Sequence, residues 1–114
     1  MKSKIVALSK NEDFKNLLKQ KKISNKYITL FFGPLDDKDN KKLNISFVTK
    51  KKIIRGAVKR NKIKRRLRNI MNEAIKKMPI NLNYSYLMIA KITMLNNEYA
   101  LIKDTLFQDI EKIK

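Results

Sequence analysis

The chain contains no cysteine and no histidine. Without thiols, disulfides and thiolate zinc sites are excluded, and without imidazole the usual zinc chemistry and histidine acid–base catalysis have no residues to run on. Long apolar runs are missing too. The run in the opening MKSKIVALSK is too short for a signal peptide, and nowhere do roughly eighteen apolar residues follow one another. A cytoplasmic protein without a membrane partner is therefore expected. Acids are scarce: 10 Asp and Glu stand against 28 Lys and Arg.

What is present is enough for a folded body. The 114 residues are 43% hydrophobic, so one domain over 1–114 is expected, burying roughly two thirds of the surface its unfolded chain exposes. A disordered basic tail would lack the apolar surface to offset its ordering entropy. The net charge of +18 costs stability by self-repulsion and points to a polyanionic partner. It is unevenly placed. Between Asp39 and Glu73 lie 33 residues with 13 Lys or Arg and no acid, whereas from Glu73 onward six bases face five acids. A genome-wide bias toward Lys, Asn and Ile does not explain that blank in acids.

The patterning predicts six elements. Ser9 and Glu12 have the spacing of a capping box, opening a helix over 9–21 with Phe14, Leu17 and Leu18 on one face. KYITLFFG, residues 26–33, reads as a strand with Tyr27, Thr29 and Phe31 on one side and Ile28, Leu30 and Phe32 on the other. After the acidic loop LDDKDNKK, the strand LNISFVT at 43–49 is expected to return antiparallel to it as a loose hairpin. A basic connector, 50–56, leads into a helix over 57–77 that stops before Pro79. Its apolar stripe is Ile63, Leu67, Ile70, Met71, Ala74, Ile75 and Met78. YSYLMIAK, 84–91, is a third strand. Asn96 or Asn97 is expected to cap a last helix with Tyr99, Ile102, Leu106, Ile110 and Ile113 in one stripe. Helices laid on one sheet give an α+β two-layer architecture, with a mixed sheet packed by helices.

The segment KRNKIKRRLR, 59–68, holds seven bases in ten positions at the front of the long helix. On a helical wheel Asn61, Lys64, Arg65 and Arg68 form one flank, Lys62 and Arg66 the other shoulder, and Arg60 falls in line with the apolar stripe. Like charges at three and four residues oppose one another, which costs on the order of 1–3 kcal/mol at low salt. The helix macrodipole, positive at this end, adds to the penalty. A phosphate reverses every sign, because free amides, dipole, Arg forks and Lys ammonium groups then attract the same anion. Polynucleotide binding is favoured over a solvated charged face or an acidic membrane surface. Tyr27 and Phe31, or Ile28 and Phe32, together with Phe14, offer rings for unstacked bases, which favours single strands; the same aromatics would also fill a two-sided core. A structural RNA-binding protein such as a ribosomal component, and a nuclease holding Mg²⁺ at Asp36, Asp37 and Asp39, are the alternatives.

RGAVKRNKIKRRLRNIMNE resembles the signature helix of the bacterial ribonuclease P protein component. Ala57, Val58, Arg60, Asn61, Ile63, Lys64, Arg65 and Arg68 fit its pattern, with Lys62 where Arg is usual. LSKNEDF at 8–14, Asn25 and Lys26, ISFVTKK and YLMIAK resemble further segments in order, so the likeness spans about residues 8–112. The resemblance implies a left-handed βαβ crossover, which the general right-handed rule would not predict. It implies a subunit that binds a catalytic RNA and holds the single-stranded 5′ leader of precursor tRNA between the first helix and the sheet. Hydrolysis then belongs to the RNA and to Mg²⁺ held mainly by it, and no protein partner is expected. Carried over by position, Arg60, Asn61, Lys62, Lys64, Arg65, Arg66 and Arg68 would meet the RNA subunit. Phe14, Phe31, Lys50, Lys51 and Lys91 would meet the leader. Leu18 replaces a second cleft aromatic, Phe31 replaces a tyrosine, and the connector ending at Gly56 is about two residues longer than the pattern.

Overall fold

A computed structural model describes residues 5–8, 11–34 and 42–113. The described strands form one sheet in the order β1-β4-β5-β3-β2. They are β1 (Ile5–Val6), β2 (Lys21–Ser24), β3 (Ile28–Pro34), β4 (Leu43–Val48) and β5 (Tyr84–Ala90). The helices are α1 (Asn11–Leu17), α2 (Ala57–Lys77) and α3 (Tyr99–Glu111), with a 3-10 turn at Ile92–Leu95. β5 pairs antiparallel with β3 and parallel with β4, and β1 pairs parallel with β4.

The α+β architecture agrees with expectation, but the hairpin does not. β3 and β4 are not neighbours; β5 lies between them. The physical reason is visible in β5, where Tyr86, Leu87 and Met88 are all buried. A strand apolar on both faces belongs at the centre of a sheet, and both flanking strands gain a ladder from it. The first helix is also shorter than expected. After Leu17 a turn closes with Gln20 N donating to Leu17 O at 3.0 Å, and Lys21–Ser24 swing out as an edge strand. Leu18 is accordingly 49% exposed and off the buried face. Ser9, and with it the capping box, lies outside the described residues, as do Asp36, Asp37 and Asp39. At the last helix the N-cap is Glu98 without a side-chain cap bond, neither Asn96 nor Asn97. Asn97 is already engaged, its Nδ2 donating to Thr93 O at 2.7 Å across the 3-10 turn.

Sheet alternation sorts the two faces. Ile28, Leu30 and Phe32 of β3, Leu43 and Ile45 of β4, and Tyr86, Met88 and Ala90 of β5 join Ile63, Leu67, Ile70 and Met71 of α2 and Ile102, Leu106 and Ile110 of α3 in one core. The opposite face carries α1, which packs on β5 and β3. Leu17 of α1 and Leu87 of β5 are buried there, outside the main core.

The hand of the β4–α2–β5 crossover follows from two carbonyls. Ile28 O faces β2, accepting from Asn25 N at 3.0 Å, while Tyr27 O faces β5, accepting from Lys91 N at 2.8 Å. Ile28 turns its side chain to the helical layer. For L-residues this puts β2 to the right of an upward β3 seen from the helices, so with β4 and β5 drawn upward β5 lies to the left of β4. The crossover over α2 is left-handed, against the general rule and as the resemblance implies.

Candidate nucleic-acid interface

α2 begins at Gly56, whose φ of 95° is a left-handed backbone that L-residues with a Cβ disfavour. No side chain caps the helix and its first turn holds no acid, so the amide end stays electropositive. The stripe expected on α2 is the buried one: Ile63, Leu67, Ile70, Met71 and Ala74.

The cations of 59–68 divide into two kinds that sequence alone does not separate. Arg60, half-buried on the stripe azimuth, folds back so that Nη1 donates to Ile54 O at 3.2 Å, tying the connector to the helix. Ile54 itself is fully buried. Arg66 reaches the other way, Nη1 donating at 3.4 Å to both Met94 O and Asn97 O around the 3-10 turn. Asn61, Lys62, Lys64, Arg65 and Arg68 are exposed. Among the described residues the ion pairs are Lys77–Glu73 at 3.8 Å, Lys103–Glu73 at 3.3 Å and Lys112–Asp109 at 3.5 Å, so none neutralises the front of α2. Glu73, the one acid of α2, serves the far half, where the hydrogen-bonded Lys103 ammonium holds its carboxyl below the ordinary range.

A cleft of about 450 Å³ opens beside β4. Among the described residues β4 has ladder partners on that side at Leu43 and Asn44, and Ile45–Val48 line the opening with Ile5 and Ala7. Phe14 enters from α1, and Lys64 and Arg68 enter from α2. The cleft thus joins a half-buried ring, a strand edge and two cations that have no acidic partner among the described residues. Leu8 N donates to Ser46 Oγ at 2.9 Å at its inner wall.

Of the expected leader residues, Phe14 lies in this cleft. Phe31 stands on the α1 face of β3, half-buried, one strand beyond Leu87. Lys91 follows β5, and its Nζ donates to Ser24 Oγ at 2.8 Å and Asn25 O at 2.6 Å. Lys50 and Lys51 are exposed in the turn after β4. Sequence reasoning missed Ser46 and Val48. Their signal was their alternation with the inward Leu43, Ile45 and Phe47, which assigns them to the opposite face. Asn25 is a structural hub: Oδ1 accepts from Tyr27 N at 2.7 Å and Ile28 N at 2.9 Å, and Nδ2 donates to Asp109 Oδ2 at 2.7 Å. Among the described residues no group of three acidic side chains is placed to hold a metal.

The model of the Ribonuclease P family matches residues 3–114. The chain belongs to the ribonuclease P protein family. A ribonuclease P protein component of Carboxydothermus hydrogenoformans is 31% identical over 110 residues, covering 94% of this chain and 90% of that protein. Two solved ribonuclease P proteins share the fold. That of Thermotoga maritima has a TM-score of 0.77 at 19% identity, covering 96% of this chain and 98% of its own. That of Staphylococcus aureus has a TM-score of 0.74 at 24% identity, covering 94% and 93%. No helix of the described residues is long and apolar enough to cross a membrane.

Proposed function

We propose that this chain is the protein subunit of ribonuclease P and assists removal of the 5′ leader from precursor tRNA in the cytoplasm. The exposed flank of α2, with Asn61, Lys62, Lys64, Arg65 and Arg68, meets the phosphates of the catalytic RNA. Arg60 and Arg66 fix the connector and the 3-10 turn against that flank, and reach the RNA only at its margins. The cleft receives the single-stranded leader, with Phe14 and Phe31 as rings for bases and Lys50, Lys51 and Lys91 toward its phosphates. Mg²⁺ sits with the RNA, where it supplies the activated water and charge stabilisation for hydrolysis. The part of this chain is to neutralise phosphates and hold the leader in register.

The observation that carries this reading is that Lys64 and Arg68 line the same cleft as Phe14. The helix that meets the RNA subunit and the ring that meets the leader then border one cleft, so binding one ligand presents the other. Reconstitution tests it. The purified chain is added to bacterial ribonuclease P RNA at low Mg²⁺, and cleavage of precursor tRNA is followed. Leader removal faster than with RNA alone is expected; an unchanged rate refutes the proposal, and binding without stimulation would indicate a structural RNA-binding protein instead.

A further inference from the structure

Lys91, the N-cap of the 3-10 turn, stands at a joint. Its N–H still belongs to the sheet, donating to Tyr27 O at 2.8 Å, while its carbonyl belongs to the turn, accepting from Met94 N at 3.1 Å. The peptide planes on both sides of its Cα are thereby held, and with them the direction in which the side chain leaves the backbone. The seat of that side chain hangs on the same turn. Lys91 Nζ donates to Ser24 Oγ at 2.8 Å and to Asn25 O at 2.6 Å, and Thr93 Oγ1 donates at 2.5 Å to Lys26 O, one residue beyond. The turn therefore carries Lys91 and also grips the β2–β3 connection that receives it.

What holds the turn comes from α2. Met94 is fully buried and pins the turn at one point, which leaves rotation about that side chain open. Arg66 Nη1 donates to Met94 O and to Asn97 O, each at 3.4 Å, and a second attachment three residues on stops the rotation. Asn97 Nδ2 in turn donates to Thr93 O at 2.7 Å, so the brace extends through Asn97 to the residue that grips Lys26. A guanidinium suits the task, because its donors lie in one fixed plane and can serve two carbonyls together. Arg66 is not among the positions that match the family's helix signature, so the resemblance does not imply the brace. We infer that Arg66 is a positioning residue for leader recognition: from the RNA-binding helix it fixes the 3-10 turn so that Lys91 keeps its ammonium at the β2 edge. Were Arg66 a strut for the fold alone, its loss would lower Tm and leave discrimination between substrates as it was.

This inference rests on the reading of Lys91 as a leader contact. The reconstituted holoenzyme is titrated, well below the melting temperature of each variant, with precursor tRNA and with mature tRNA that lacks the leader. Lys91→Ala tests the underlying reading: a loss confined to precursor tRNA is expected, and no loss refutes that reading and the inference with it. Arg66→Ala should weaken precursor binding about 2–10-fold, the worth of holding one long side chain in place, and leave mature tRNA within about twofold. In the Lys91→Ala background the same change should cost less than about twofold, because residues that act through one another are not additive. Arg66→Lys, which keeps a donor for the carbonyls, should recover most of the loss, whereas Arg66→Met, which keeps bulk alone, should not. With Lys91→Ala behaving as expected, three results overturn the positioning role alone: full additivity of Arg66→Ala with Lys91→Ala, an equal loss on mature tRNA, or a precursor affinity that Arg66→Ala leaves unchanged.

Discussion

Replacing Arg68 by Ala should make the protein bind RNA less tightly and melt at a higher temperature. Arg68 is exposed, lines the cleft and has neither hydrogen bond nor ion pair among the described residues, so its removal orphans nothing. It stands four residues from Lys64 and three from Arg65 on the helix surface. Relieving those two repulsions is worth about 0.4–1 kcal/mol at low salt, and Ala adds a little helix propensity. For a chain of this size that raises Tm by about 1–5 °C. On RNA, loss of a charge-assisted hydrogen bond costs about 1.5–3 kcal/mol, or roughly 10–150-fold in Kd, and the salt slope falls by about 0.7–0.9. Arg66→Ala should show the reverse pattern. Its bonds to Met94 O and Asn97 O hold the 3-10 turn, so about 1–2 kcal/mol of stability goes, while RNA affinity stays within roughly threefold. Thermal melts at low and high salt, paired with titration of ribonuclease P RNA, measure both. A lower Tm for Arg68→Ala, or an unchanged Kd, would refute the argument that the front of α2 is unfavourable alone and favourable against phosphate.

Gly56→Ala should cost about 1 kcal/mol or slightly more in urea unfolding, purely from its positive φ, since a Cβ there meets nothing within 4 Å. Asn25→Ala removes two acceptor contacts and the bond to Asp109, so a loss of about 2–4 kcal/mol is expected; a loss below 1 kcal/mol would show that the β2–β3 turn holds itself. Because Lys103 depresses the Glu73 pKa in the folded state, the stabilisation it gives is present above the unfolded carboxylate pKa and is lost as pH falls through the folded one. Acid titration of Glu73→Gln should therefore show a shallower decline below about pH 4.5 than wild type, a small difference for so exposed a pair.

Long periodic segments were the most legible part of the chain. The bounds of α2 and its stripe agree with the pattern because 21 residues repeat one period, and every buried α2 residue belongs to it. β1 and β2 were invisible because two and four residues carry no period to read, and β2 is built almost wholly of exposed polar side chains. The expected hairpin is absent because β5, apolar on both faces, takes the central place between β3 and β4. In the site, Phe14 and the cations were legible as residue types. The division between Arg60 and Arg66, braced on backbone carbonyls, and the exposed Lys64 and Arg68 was not, because it depends on where the Ile54 and Met94 carbonyls fall. Those are set by a connector and a 3-10 turn with no strong local signal.

The central place of β5 has a temporal consequence. Translation delivers about 5–20 residues per second, and β3 and β4 emerge with a vacant slot between them that residues 84–90 fill later. A nascent chain that has reached Lys77 already displays its anion-seeking helix, yet owns no continuous platform for a strand to lie on. Such a half-made product can adhere to nucleic acid before it can grip a tRNA precursor.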